Sequence, residues 1–261
     1  MSGGLATQAG LAARRDPGST GPGREDRAMT TPDPELDFPR ALEALRAAAI
    51  PGRAEEMAAY HKVPRVYLGV PNPDIDRLAR DWRQAMTLEA RVALAGALWG
   101  SDIHEARIAA AKLLTQARIR PSDESAWQMI RSWVPDFDAW AIADHSCIAA
   151  QKRLAAEPAR LDEVEVWTQS PHMWTRRAAL VATLHLTRLT HPKPAETAAR
   201  ERVLGWAVSY LDDREWFIQK AIGWWLRDLS RHDPERTRAF LAAHGARLKA
   251  FARREAARHL T

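Results

Sequence analysis

The chain has 261 residues, 46% of them hydrophobic, with 38 Lys+Arg against 33 Asp+Glu and a formal net charge of +5. That length folds as one large domain or two small ones, and the modest basic excess points to an anionic partner such as nucleic acid or a membrane surface. The single cysteine, Cys147, excludes an internal disulfide and a cysteine-ligated zinc or iron–sulfur site, and with no long uncharged apolar run and no secretory h-region the composition points to a cytoplasmic protein.

Residues 1–34 are rich in Gly, Ser, Thr, Pro and charge and lack a helical period, so they are expected to be a disordered leader, with Met29 an alternative start. From Leu36 onward helical segments follow one another, separated by short punctuation such as PG at 51, PNP at 71, RPSD at 120, SP at 170, THPKP at 190 and HDP at 232. β-branched alternation is scarce, and the expected class is all-α. About a dozen helices of similar length fit helix pairs stacked in a curved solenoid, with a globular bundle as the alternative. No strict period is visible, so any repeats are degenerate.

In FDAWAIADHSC, residues 137–147, Trp140 and Asp144 are at i and i+4 and project from one side of a helix. Carboxylates near a helix start are commonly there for the dipole or for an arginine, a role that Asp136 and Asp138 fit better. In SPHMWTRRAALVATLHL, residues 170–186, Ser170 is the expected N-cap with Pro171 at the first helical position. Arg176 and Arg177 then lie near the positive end of the helix dipole, where a recruited anion and an ion pair to a neighbouring helix are both open.

In EWFIQKAIGWWLRDLSR, residues 215–231, Ile218, Ile222, Trp225 and Leu229 share one sector, with Ala221 at its edge. Trp224 lies roughly 120° away, near Lys220 and Arg227. It is either a second packing face or an aromatic platform beside phosphate-binding cations. The final helix, FARREAARHL, carries Arg253, Arg254 and Arg258, and residues 214–261 hold eleven Lys+Arg against five Asp+Glu. Charge concentrated at one end fits a phosphate-binding face as well as a solvated one. The nine histidines show no metal-ligand spacing and read as surface or capping residues, and no P-loop, HExxH, GxSxG, zinc-deaminase or dinucleotide motif is present.

Together the run from REWFIQKAIGWWLRDLSR to LKAFARREAARHL, with EEMAAYHKVPRVYLGVPNPDIDRLAR, DAWAIADHSC and SPHMWTRRAALVATL in order before it, resembles the AlkD-type DNA alkylation repair enzymes, HEAT-like repeat DNA glycosylases. The resemblance covers about residues 36–261 and implies a single HEAT-like domain with a concave basic face. It implies Asp144 as catalytic carboxylate, Trp140 and Trp224 as active-site tryptophans, Arg177 as a phosphate-contacting arginine and Tyr60 as a DNA contact. Arg176, Lys220, Arg227, Arg253 and Arg254 are the further DNA-binding candidates. A competing alignment on Trp133 and Asp138 places the pair at i and i+5, off a common face.

The expected reaction is hydrolysis of the glycosidic bond of cationic alkylated purines of the 3-methyladenine and 7-methylguanine type in duplex DNA. Asp144 would stabilise oxocarbenium character while the tryptophan faces add cation–π attraction. The resemblance further implies an enzyme that does not enclose the base, and the expected protein is monomeric, uses no cofactor or metal, and leaves the strand uncut. The alternatives are a non-catalytic relative that binds damaged or branched DNA, and a helical-repeat protein scaffold.

Overall fold

The computed structural model describes residues 36–260; the expected leader and the alternative start at Met29 lie outside the described residues. Among the described residues thirteen α-helices follow one another: α1 (Phe38–Ala47), α2 (Arg53–His61), α3 (Asn72–Ala85), α4 (Leu88–Gly100), α5 (His104–Leu113), α6 (Glu124–Trp133) and α7 (Trp140–Ala156). The remainder are α8 (Leu161–Trp167), α9 (Met173–Val181), α10 (Pro194–Ser209), α11 (Trp216–Ser230), α12 (Pro234–His244) and α13 (Ala250–Ala256). Among the described residues the only extended pairing is one isolated bridge, Val66 with Ile103. The unit is an all-α helical-repeat solenoid.

Its helices start where local chemistry satisfies the first free N–H groups. The side chains of Asp37, Thr87 and Asp233 accept from Arg40, Ala90 and Arg236 at 3.0–3.2 Å, and Pro194 and Pro234 occupy first-turn positions that need no donor. The expected cap at Ser170 is not one. α9 begins at Met173 after His172, and the Ser170 hydroxyl instead accepts from the His172 N–H at 3.2 Å as part of the preceding turn.

α5, α7, α9, α11 and α13 pack in succession as an inner row, and α4, α6, α8 and α12 each lie against one of them. The inner helices begin at residues 104, 140, 173, 216 and 250, and the widest interval contains the linker around residue 190. That uneven spacing explains why the sequence shows no fixed period. The inner helices are buried on several faces: every residue of α5 except Arg107 is buried. Cys147 lies between α7 and α9, its sulfur 4.0 Å from the Ala178 carbonyl oxygen.

Two polar clusters built on the buried side chains of Glu105 and Arg65 fix the frame around the first inner helices. The Glu105 carboxylate, fully buried on α5, accepts from the N–H groups of Leu68, Gly69 and Val70 at 2.9, 2.7 and 3.2 Å, pinning the strap between α2 and α3. Gly69 takes φ +82° there, and a Cβ would stand 2.9 Å from the Ala54 backbone nitrogen, so this turn admits only glycine. Arg65, its side chain buried, donates to Asp138 at 2.5 Å and also meets Asp102 at 3.1 Å. That link ties the strap to the start of α7, and it gives Asp138 an arginine partner, one of the two roles expected of it.

Candidate functional site

One turn of α7 separates Trp140 from Asp144, and both line a cleft of about 390 Å³ that α2, α3 and α5 complete. Tyr60, 69% exposed at the end of α2, stands edge-on to Trp140 with ring centroids 6.1 Å apart and an interplanar angle of 83°. His61 lies behind them, 5.4 Å from the Trp140 ring, and rests on Tyr67 and His104 at 5.9 and 4.5 Å. Trp140 is 36% exposed, so a large aromatic surface faces solvent beside the carboxylate. The competing pair separates: Trp133 is buried against Trp99 in a 4.5 Å stack, while Asp138 is held by Arg65.

Arg177 meets this site from α9 and from beneath. Its Nη1 donates to Asp144 Oδ1 at 2.5 Å, and its guanidinium carbon lies 5.6 Å from the Trp174 ring centroid and 5.9 Å from that of Phe217. Its side chain is 2% exposed. Of the two alternatives left open for Arg177, the structure shows the interhelical ion pair, which orients Asp144. Arg176 has done the same, donating to Asp213 from Nε and Nη2 at 3.1 and 2.9 Å and to the Ser170 and Pro171 carbonyls at 3.0 and 2.9 Å. Its guanidinium clamps the turn before α9.

Trp225 is fully buried with Ile218, Ile222 and Leu229, as the helical period requires. Trp224 is half-buried and does not share the Asp144 cleft. With Lys220, Arg227 and Arg254 it lines a second cleft of about 570 Å³ between α11 and α13, together with Trp216, Phe251 and Arg258. Lys220 Nζ sits 4.6 Å from the Trp216 ring centroid, and Arg227 is paired with Glu255. Gly223 lets α11 and α13 pack this closely, because a Cβ there would stand 3.0 Å from the Ala252 carbonyl oxygen. Arg253 is exposed on α13, outside this lining.

For His104, which is buried, the structure corrects the surface or capping assignment made from spacing, while His191, His232 and His259 are exposed. His104 is 1% exposed, and burial pushes its pKa down to about 3; burial likewise holds His145 and His185 down to about 4, and lowers that of His61. The three that line the Asp144 cleft, His61, His104 and His145, are therefore neutral at pH 7. Pattern reading also passed over Glu56, Trp216 and Phe251, although Glu56 and Tyr60, and Trp216 and Lys220, each stand at the i, i+4 spacing that marks a shared face.

The sequence model of a family described as DNA alkylation repair enzyme matches residues 41–260. In structure the chain is similar to a predicted DNA alkylation repair enzyme from Enterococcus faecalis, at 24% identity and a TM-score of 0.69 over 82% of this chain and 97% of that one. It is also similar to smu.31 from Streptococcus mutans UA159, at 17% identity and a TM-score of 0.54 over 72% of this chain and 92% of that one. AlkD2 from Streptococcus mutans is a further likeness, at 17% identity and a TM-score of 0.53 over 72% and 89%. No curated protein matches the chain. With the family match spanning nearly all of the helical unit, the chain belongs to the DNA alkylation repair enzyme family.

Proposed function

We propose that the protein is a DNA glycosylase that hydrolyses the N-glycosidic bond of cationic alkylated purines in duplex DNA without cutting the strand. The observation that carries this reading is the Asp144 carboxylate, held by Arg177 at 2.5 Å and opening into the cleft that Trp140 and Tyr60 wall. An N3- or N7-alkylated purine carries positive charge, and as its bond to C1′ breaks it leaves with the electron pair while charge moves to the deoxyribose. A fixed carboxylate stabilises that developing charge and orients the water that adds to C1′. The Trp140 face adds cation–π attraction of about 0.5–2 kcal/mol.

Duplex DNA would be held by the cations that remain exposed, Lys220, Arg253 and Arg254, and by Tyr60, with Arg227 reaching the backbone only by exchanging Glu255 for phosphate. Trp224 belongs to that second contact region in this reading, since it lines the α11–α13 cleft and not the one at Asp144.

The test is release of 7-methylguanine and 3-methyladenine from methylated duplex DNA by the wild type and by Asp144→Asn at matched DNA affinity. Release by the wild type with a loss of at least about tenfold in the variant, about 1.4 kcal/mol of barrier, supports the reading. Salt-sensitive DNA binding with no release by the wild type would replace it with a non-catalytic DNA-structure binder.

A further inference from the structure

Arg177 is buried as a cation with a single carboxylate beside it. Its Nη1 donates to Asp144 Oδ1 at 2.5 Å, while its Nε is buried with no hydrogen-bond partner among the described residues. One hydrogen bond fixes a distance and leaves the guanidinium plane free to swing about it, so other groups must set its direction. Asp144 depends on the same bond. No described residue donates to its Oδ2, and the orientation of its carboxylate in the cleft therefore follows that of the guanidinium.

The groups that set this direction are rings. Trp174 stands one turn before Arg177 on α9, its ring centroid 5.6 Å from the guanidinium carbon, and the Phe217 centroid on α11 lies 5.9 Å away. The two centroids are 4.6 Å apart with planes tilted by 43°, so the cation meets two faces of different inclination. A ring face attracts a desolvated guanidinium, and two inclined faces fix a plane where one would permit rotation. Both side chains are half-buried, and neither lines the Asp144 cleft or the cleft between α11 and α13. Through Phe217 the aim of Asp144 comes to depend on α11, a helix that contributes nothing to the lining of its cleft.

We propose that Trp174 and Phe217 are positioning residues for base excision: a two-ring cradle that fixes the guanidinium plane of Arg177 and, through it, the carboxylate of Asp144. The proposal deepens the glycosylase reading and rests on it for the reaction served.

Phe217→Leu removes the ring face but keeps an apolar side chain, and Phe217→Tyr keeps the face. The single-turnover rate of 7-methylguanine release is expected to fall about tenfold in Phe217→Leu and to stay within about twofold in Phe217→Tyr, with DNA affinity changed by less than about twofold in both. Trp174→Leu and Trp174→Phe repeat the comparison on α9. In an Asp144→Asn background the carboxylate to be aimed is gone, and Phe217→Leu should then cost less than about twofold. A loss of equal size in both backgrounds, or a rate in Phe217→Tyr as low as in Phe217→Leu, overturns the proposal.

A second readout needs no activity. Isotope-edited NMR of the arginine side chains, with the Arg177 signal assigned by its absence in Arg177→Lys, reports how fast the guanidinium rotates about Nε–Cζ. Rotation is expected to be slow in the wild type and Phe217→Tyr and fast in Phe217→Leu; equal rotation in all three overturns the cradle. Base release with a freely rotating wild-type guanidinium overturns the cradle and leaves the glycosylase standing. Ring-dependent restraint with no base release supports the cradle and overturns the glycosylase.

Discussion

At the scale of single residues, Arg177 is the position where pattern and geometry part. Its place in the RR pair near a helix start is legible, but only the packing of α9 on α7 shows that the guanidinium is buried under Asp144. Removing it in Arg177→Ala leaves a cavity and a carboxylate without its partner, and the expected loss is about 3–5 kcal/mol in urea denaturation. The same geometry separates it from the exposed cations in DNA binding. Arg177→Met should leave the salt dependence of affinity unchanged, while Lys220→Ala and Arg254→Ala each flatten the slope of log K against log salt by about 0.9, read from titrations at several salt concentrations. Trp140 and Asp144 stand out by their i, i+4 spacing and Tyr60 by the family resemblance, and the structure places all three in one cleft. Glu56 escaped because its place in the cleft depends on α2 facing α7, which no local pattern reports.

At the scale of elements, the most exact local constraint is the contact of α11 with α13. The Gly–Trp–Trp run reads as one buried and one off-stripe tryptophan, and the structure agrees: Trp225 has no exposed surface while Trp224 reaches the cleft. The glycine before them is explained only by the neighbouring helix, whose Ala252 backbone occupies the space a side chain would need. Gly223→Ala is therefore expected to lose about 1–3 kcal/mol through displacement of α13, despite the higher helix propensity of alanine. Thermal unfolding read by tryptophan fluorescence checks the sign, because propensity alone would raise the midpoint. The strap from Leu68 to Val70 makes the complementary case, since Glu105 gives it three charge-assisted hydrogen bonds that are invisible in sequence.

At the scale of the whole molecule, helix class and solenoid were legible because alanine, leucine and arginine recur with a 3.6-residue period, while the repeat length was not, because the intervals between inner helices vary. A global property that the sequence hid is acid sensitivity. His104, His145 and His185 have folded-state pKa values of about 3, 4 and 4, against an unfolded value near 6.5. Because the unfolded chain takes up these protons first, the stability they protect is complete above about pH 6.5 and falls as pH drops towards 4, by up to about 1.4 kcal/mol per unit for each histidine. Urea denaturation at about pH 7.5 and about pH 5 should show this loss, and His104→Phe should make it shallower.

The lone cysteine offers a way to watch the site open. Cys147 stands one turn beyond Asp144, against the Ala178 carbonyl, and burial raises its thiol pKa, so it is inert while α7 and α9 stay together. A thiol reagent added to the native protein will therefore be consumed only as fast as those two helices part, and the labelling rate becomes a direct clock for separation of Asp144 from Arg177.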